Sequence, residues 1–431
     1  MSNKDFDRIL DEIDNCKTIK QARNAIWKSF VGKKCTRKCG NVVKIALLNA
    51  PCHGFGDVIF AQKLAKYIKK WYGVSVKIFT TLPDAHVKLG EDPRNLVAPV
   101  KMKINQCRQF SKLDFGEAAN TKYDLYLVAP LVANYNPDVS TVTKSFKYAT
   151  KSNVFFFSEY NASLREDYTF PTGVGGDRLG LMMVKPPSVK KLAGLRNPYS
   201  LIYIASEDHI SRAVPCYMGF MEMIAKKYRK HKKLDVVVPL WIVHNLNNKK
   251  SAQQLIKKIN KYYTRIVIKD KDGSDDLTDT QTGNVFTIRG DILPVDNKKM
   301  FALMKYSLSD ILLTGDQSLT DALSCCWNKN IFYQIAEWKE SLGKELAKEL
   351  PNKFLKSKKT SCGTLKAINY NSNYRVFVNK WDFRKLGRPR MDAIMLASLA
   401  KHKNKDFEEL DDMINNTRTL NSLRKKIDEK F

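Results

Sequence analysis

Between about residue 41 and residue 334 short apolar runs alternate with amphipathic stretches, and twice such a run breaks at a glycine turn before a helical pattern begins. The spacing predicts a strand over Asn41–Asn49 (NVVKIALLN), a break at Ala50–Gly56, a helix over Asp57–Tyr72 and a second strand over Val74–Thr80. Later strands are expected at Leu125–Ala129 and Val154–Phe157. Near Pro198 the alternation restarts, with strands expected at Leu201–Ala205, Leu234–Leu240, Arg265–Ile268, Val285–Ile288, Asp310–Leu313 and Asn330–Tyr333. Helices are expected between them at Tyr217–Tyr228, Gln253–Tyr263, Asn297–Tyr306 and Ser318–Cys326. Strands alternating with helices at this spacing imply an α/β fold whose parallel sheets carry helices on both faces, here two Rossmann-like doubly wound units.

The chain has 431 residues, 43% of them hydrophobic, enough for two domains with separate cores. Four segments are expected: an N-terminal helical extension over 1–40, Rossmann-like domains over 41–195 and 196–386, and a helical, charged segment over 387–431. Within the first, Phe6, Ile9, Leu10, Ile13, Ile19, Ile26, Trp27 and Phe30 fall mostly on one helical stripe. The Gly/Pro-rich stretch Phe170–Gly180, followed by Lys185-Pro186-Pro187, reads as the connection between the domains.

Net charge is +30, which points to an anionic partner such as nucleic acid, an acidic membrane surface or a phosphate-bearing substrate. Equally, it suits solvated helix faces in a lysine-rich chain, since pairs such as Lys69-Lys70, Lys190-Lys191, Lys232-Lys233 and Lys257-Lys258 are spread from end to end. No known nucleic-acid module is recognised, so nucleic acid is not expected as a partner. The nine cysteines form no repeating frame, and Cys35 and Cys39 lack a second pair to complete a zinc site. Cys325-Cys326 reads as apolar filler in a helix. A reduced, cytoplasmic setting is expected. The acidic N-terminus does not read as a signal peptide, and no apolar run is long enough to span a bilayer, so any membrane contact would be peripheral. Lysine and asparagine usage suggests an AT-rich genome, as in an intracellular microbe or a large virus; in the latter case the setting would be host cytoplasm or virion.

Three segments can carry chemistry. In Gly54-Phe55-Gly56-Asp57 the glycines allow close backbone approach, and the following helix start offers unpaired N–H groups to an anion. No third glycine completes a dinucleotide fingerprint, and no Gly-Lys-Ser/Thr ending makes a triphosphate loop. Asp57 either caps the helix or takes a proton from an acceptor hydroxyl or amine. In Leu312–Leu323 the strand again ends at a glycine turn, where Gly315 and Ser318 would present backbone N–H groups and a hydroxyl to a diphosphate. Asp316 and Asp321 are awkward beside phosphate; one of them could cap the helix or bind a sugar hydroxyl. The third segment is Ser206–Arg212, where Arg212 could grip a phosphate in bidentate fashion and His209 reads equally well as a loop hydrogen-bonder. No acidic metal motif stands at a strand end; Asp275-Asp276 and Asp411-Asp412 read as solvated acids.

Together these segments resemble the GT-B class of glycosyltransferases, and within it the heptosyltransferases and the bacterial protein-arginine rhamnosyltransferases. Gly54-Phe55-Gly56-Asp57-Val58, followed by Leu64, Ile68 and a strand ending in Thr80, is similar to the N-terminal signature of both. The resemblance makes Asp57 the general base. Phe170-Pro171-Thr172-Gly173 with Gly175-Gly176 resembles the rhamnosyltransferases' cleft-lining segment. Ile204–Ile224 is similar to the heptosyltransferase strand-loop-helix, with Arg212 where a phosphate-facing lysine is expected. From Ile292 to Gln334, Leu293-Pro294, Lys298–Tyr306, Ser309-Asp310, Gly315-Asp316-Gln317-Ser318 and Phe332-Tyr333-Gln334 follow in family order. The backbone of Ile292, Leu293 and Pro294 would then hold the base of a nucleotide, and Gly315, Asp316, Gln317 and Ser318 its diphosphate. Thr314 departs from the rhamnosyltransferase arginine, and Asp316-Gln317 from its acidic pair, which leaves the donor sugar unspecified.

The resemblance implies a nucleotide-diphosphate sugar as donor, a glycan or protein acceptor, inversion, and chemistry in the crevice between the domains. No cofactor or metal is required if Arg212, Ser318 and the Gly315 turn bear the leaving-group charge. The alternatives are a basic scaffold or nucleic-acid-binding protein of the same fold without catalysis, and another two-domain enzyme such as a sugar-nucleotide epimerase.

Overall fold

The computed structural model describes residues 44–377 apart from 52–54, 73–75, 107–108, 132–136, 163–168, 174–177, 179–180, 183, 185, 207–209, 327–328, 335, 337–338, 350–354, 357, 361–362 and 366–373. The helical segments expected over 1–40 and 387–431, Gly54, Cys35 with Cys39, His209, Gly175-Gly176 and Asp411-Asp412 lie outside the described residues. The chain divides into two compact units between residues 183 and 184, the second ending at Phe383. Among the described residues no helix is long and apolar enough to cross a membrane.

Unit 1 runs β1 (Ile45–Asn49), α1 (Gly56–Tyr72), β2 (Val76–Thr80), α2 (Pro83–Lys88), β3 (Leu96–Val97), β4 (Lys101–Gln106), β5 (Gln109–Asp114), β6 (Leu125–Leu131), α3 (Val139–Ser145), β7 (Val154–Ser158) and β8 (Thr169–Phe170). Six of these strands form one parallel sheet in the order β3-β2-β1-β6-β7-β8. β1 and β6 are buried along their whole length, which is why they read as unbroken apolar runs rather than alternating ones. Helix α1 buries Val58, Ala61, Leu64 and Ile68, spaced three and four apart as one helical face requires. Aromatic rings fill the other side, with Phe79 edge-on to Phe115 at 5.0 Å and to Phe146 at 4.9 Å. β4 and β5 form a separate antiparallel hairpin, held to α3 through Leu113 N–H donating to Ser145 Oγ (2.9 Å) and Thr141 Oγ1 donating to the Phe110 carbonyl (2.8 Å).

Unit 2 runs β9 (Tyr199–Tyr203), α4 (Ile210–Lys227), β10 (Lys233–Val237), α5 (Leu240–Leu246), α6 (Lys249–Ile259), β11 (Arg265–Lys269), β12 (Ser274–Asp276), β13 (Val285–Arg289), α7 (Asn297–Tyr306), β14 (Asp310–Leu313), α8 (Asp316–Cys325), β15 (Asn330–Gln334), α9 (Glu340–Glu349), β16 (Leu355–Lys356), β17 (Lys358–Thr360), β18 (Gly363–Leu365) and β19 (Tyr374–Phe377). Its large sheet has the order β12-β11-β13-β10-β9-β14-β15-β19-β16. The run from β11 to β15 is parallel, and antiparallel β12 and β19 border it. Helix α4 turns Ala213, Cys216, Tyr217, Phe220, Met221 and Ile224 onto the sheet, all fully buried.

Three helices begin two or more residues earlier than their patterns suggest. α6 starts at Lys249 rather than Gln253, capped by the Asn248 side chain, which accepts from the N–H groups of Lys250 and Ser251. α4 starts at Ile210 rather than Tyr217 and so carries Pro215 inside it, at its sixth position, where the missing N–H removes one helical hydrogen bond. α8 starts at Asp316 rather than Ser318, which makes Gly315 its N-cap.

Candidate functional site

Open parallel sheets bind ligands beyond the carboxyl ends of their strands, at the point where strand order reverses. In unit 1 that point lies between β1 and β6, since the chain builds β2 and β3 on one side of β1 and then returns to the other. In unit 2 it lies between β9 and β14. Each of the two glycine turns picked out in the sequence follows a strand at one of these points: Gly56-Asp57 after β1, and Gly315 after β14.

Around the first turn the described residues form a neutral, buried network. Asn49, 1% exposed at the end of β1, donates through Nδ2 to the carbonyls of Asp57 (3.2 Å) and Ala129 (2.9 Å). It thereby ties the start of α1 to β6 across the reversal. Its Oδ1 accepts from Thr80 Oγ1 (3.4 Å) and lies 2.9 Å from His86 Nε2. Because Asn49 Nδ2 is the donor to both carbonyls, Oδ1 must accept, so His86 carries its proton on Nε2. Burial holds the imidazole neutral and pushes its pKa down to about 4. Gln62 on α1 closes the network by donating to the His86 carbonyl at 3.0 Å. Asp57 is half-buried in the first turn of α1, beside an exposed Phe55.

The second turn is built differently. Gly315 has φ +81°, a conformation side chains disfavour, and a Cβ placed there would meet nothing within 4 Å. The first helical bond runs from Leu319 N–H to the Gly315 carbonyl (3.1 Å). The N–H groups of Gln317 and Ser318 therefore have no partner inside the helix. They stand at the positive end of the α8 dipole, which favours an anion. Asp316, whose charge would oppose one, is buried against Lys339: its Oδ2 lies 3.0 Å from Nζ, and both side chains are below 10% exposed. Gln317 is 4% exposed, and its Oε1 has no hydrogen-bond partner among the described residues. Ser318 is half-buried.

Behind the turn, Thr314 Oγ1 donates to the Gln334 carbonyl (3.1 Å), and Thr314 N–H to the Tyr203 carbonyl (2.9 Å). The Gln334 side chain accepts from Ala205 N–H (3.1 Å) and donates to the Ala205 carbonyl (3.3 Å). Strands β9, β14 and β15 are thus clasped at their carboxyl ends. Arg212 is the third residue of α4, the helix that follows β9. Ile292, Leu293 and Pro294 follow β13 on the same edge of the sheet; Leu293 is buried and Pro294 exposed.

Elsewhere, polar residues explain themselves structurally. Phe170-Pro171-Thr172-Gly173 is buried, with Thr172 Oγ1 donating to the Ser158 carbonyl (2.6 Å). Gly173 has φ +113°, and a Cβ there would fall 2.1 Å from Asn161 Oδ1. Asp310, at the amino end of β14, receives Lys227, Tyr228 and Asn330. Arg289 bridges Asp291 and Asp235 (2.7 and 3.3 Å). Asp276, expected as a solvated acid, is exposed and paired with Arg265 at 2.6 Å. Asn49, His86 and Lys339 carry no functional signal in the sequence, and Gln334 only its place in the resemblance, because each is defined by a partner distant along the chain.

No protein-family profile matches the chain, and no curated protein does. Among solved structures, the chain is similar to an alpha-glucosyltransferase in complex with UDP-glucose and DNA containing an abasic site. The identity is 9% and the TM-score 0.38, over 89% of this chain and 93% of that one. It is also similar to the trehalose-6-phosphate synthase OtsA, at 11% identity and a TM-score of 0.26, over 100% of this chain and 82% of that one.

Proposed function

We propose that this chain is a metal-independent glycosyltransferase of the GT-B class that moves a sugar from a nucleotide-diphosphate donor to a hydroxyl or amine of a glycan or protein, with inversion. The observation that carries the reading is the Gly315 turn. It stands where the strand order of unit 2 reverses, opens onto the N–H groups of Gln317 and Ser318, which the helix leaves unused, and has its one first-turn acid paired with Lys339.

In this reading the donor diphosphate lies on the amides of Asp316, Gln317 and Ser318, with the Ser318 hydroxyl and Arg212 adding donors. The backbone of Ile292–Pro294 receives the base. The acceptor oxygen or nitrogen attacks the anomeric carbon from the face opposite the diphosphate, and its proton passes to the Asp57 carboxylate. As that bond forms, the bond from the anomeric carbon to the diphosphate oxygen breaks and its electron pair leaves with the diphosphate. Fixed donors that meet this developing charge are worth several kcal/mol per well-placed group, of the order of 3. The Lys339–Asp316 pair supports the reading electrostatically, since it offsets a carboxylate that would otherwise share the helix N-terminus with the ligand.

The test is saturation-transfer NMR on the whole chain against UDP-, GDP-, ADP- and dTDP-sugars. At least one should show transfer to its nucleotide protons, competed by the matching nucleoside diphosphate. Silence from all four contradicts the proposal.

A further inference from the structure

Lysines occur from end to end of the chain, but one dense run and several separate residues meet at one end of unit 2. In a parallel sheet every crossover helix runs back against the strands, so helix C-termini and strand N-termini share an edge. Residues 226–233, Lys-Lys-Tyr-Arg-Lys-His-Lys-Lys, join α4 to β10 there, with six cations and no carboxylate in eight residues. Lys226, Arg229, Lys230, Lys232 and Lys233 are exposed. Lys227 is paired with buried Asp310. The end of α6 adds exposed Lys257 and Lys261, and the end of α7 adds exposed Lys305.

These loops are fastened to one another. Tyr263 Oη donates to the Tyr228 carbonyl (2.7 Å), Val285 N–H to the Lys232 carbonyl (2.8 Å), and Tyr228 Oη to Asp310. Lysines in the last turn of a helix are favoured by its dipole, but that does not account for Arg229–Lys233, which follow the helix. From β11 through β13, β10 and β9 to β14 there are four strand spacings of about 4.8 Å, or about 19 Å of basic edge. Over that length a duplex presents about eleven phosphate charges.

We infer that this end of unit 2, remote along its strands from the Gly315 turn, is a docking face for the phosphate backbone of nucleic acid. Three lysines here lie over neighbouring tyrosine rings, Lys227 over Tyr228 (5.2 Å), Lys261 over Tyr262 (5.1 Å) and Lys305 over Tyr306 (5.5 Å). Such pairs present both charge and ring to a nucleotide strand. A membrane surface fits less well, because the exposed large apolar side chains of unit 2 among the described residues are Leu240 and Tyr306, and of these only Tyr306 stands at this end. Interfacial anchoring needs an apolar face as well as charge. The inference is independent of the donor site.

The test measures fluorescence anisotropy of a labelled 20-base-pair duplex and a 20-nucleotide single strand against the full chain across a salt series. The variant Arg229→Gln/Lys230→Gln/Lys233→Gln removes three exposed charges from this face. The control Lys101→Gln/Lys103→Gln/Lys112→Gln removes three exposed charges from the β4–β5 hairpin of unit 1. The first variant should bind more than tenfold more weakly at 0.1 M salt, and its log–log salt slope for duplex should fall by about three. The control should change either quantity far less, and nucleotide-sugar signals should stay the same in both. Equal losses in the two variants, no loss in the first, or wild-type capture by phosphatidylserine vesicles without nucleic-acid binding would each overturn it. Comparing the duplex and single-strand arms identifies which form the face prefers.

Discussion

Asn49 in unit 1 and Gln334 in unit 2 occupy corresponding places: each is a buried carboxamide at the carboxyl end of a strand, tying backbone across the reversal of strand order. A neutral amide suits this position because it donates and accepts at once and brings no charge into a desolvated site. The surroundings then diverge. Unit 1 completes its clasp with Thr80, a neutral His86 and Gln62, and keeps Asp57 half-buried in the first turn of the helix. Unit 2 buries its first-turn acid, Asp316, on Lys339. Two similar turns therefore differ in the charge they leave at a helix N-terminus, which is the basis for assigning the proton to one and the diphosphate to the other.

Substitutions at the two acids press hardest on this contrast. Asp57→Asn should lower transfer by about 10²- to 10⁴-fold while leaving nucleotide-sugar binding intact; an unchanged turnover would reduce Asp57 to a helix-capping residue. Lys339→Met removes the buried cation from Asp316 and should destabilise the chain by about 3–5 kcal/mol in urea denaturation, with Asp316→Asn on the same background recovering most of it. If Asp316→Asn recovers nothing, the pair is not the reason Lys339 matters.

The neutral network of unit 1 makes a pH prediction. His86 titrates near 4 when folded, against 6.5 for the free side chain. The unfolded chain therefore binds the extra proton between those values. Stability from this site is full above about pH 6.5 and is lost as pH falls toward 4, by up to about 3 kcal/mol. Urea midpoints at pH 7 and pH 4.5 should separate accordingly, and His86→Gln should narrow that separation; the same separation in the variant would place the titration elsewhere. Smallest is Gln334→Ala, expected to cost about 1–3 kcal/mol through the Ala205 groups it leaves without their partner, read by the same denaturation series.

What the sequence disclosed follows from how locally each feature is encoded. β14 and α7 have the expected bounds because an unbroken apolar run and a regular helical stripe need no distant partner to be read. The β4–β5 hairpin has no such local signature, since its strands, KMKINQ and QFSKLD, are mostly polar, with Phe110 and Leu113 buried only by packing on the rest of the unit. Both turns were legible as glycine followed by a helix start. Their supports were not, because His86 meets Asn49 across 37 residues, Lys339 meets Asp316 across 23, and Gln334 meets Ala205 across 129. The basic end of unit 2 is legible only in part, since its core is the contiguous run 226–233, while Lys257, Lys261 and Lys305 join it only through the strand order.

The most direct test of the donor site is a crystal structure of the full chain with a nucleoside diphosphate that the NMR panel identifies as bound. The diphosphate should lie at the start of α8, its oxygens about 2.9 Å from the backbone nitrogens of Asp316, Gln317 or Ser318, with Lys339 still on Asp316. Density for the diphosphate at any other place, with those nitrogens facing solvent, would contradict the account.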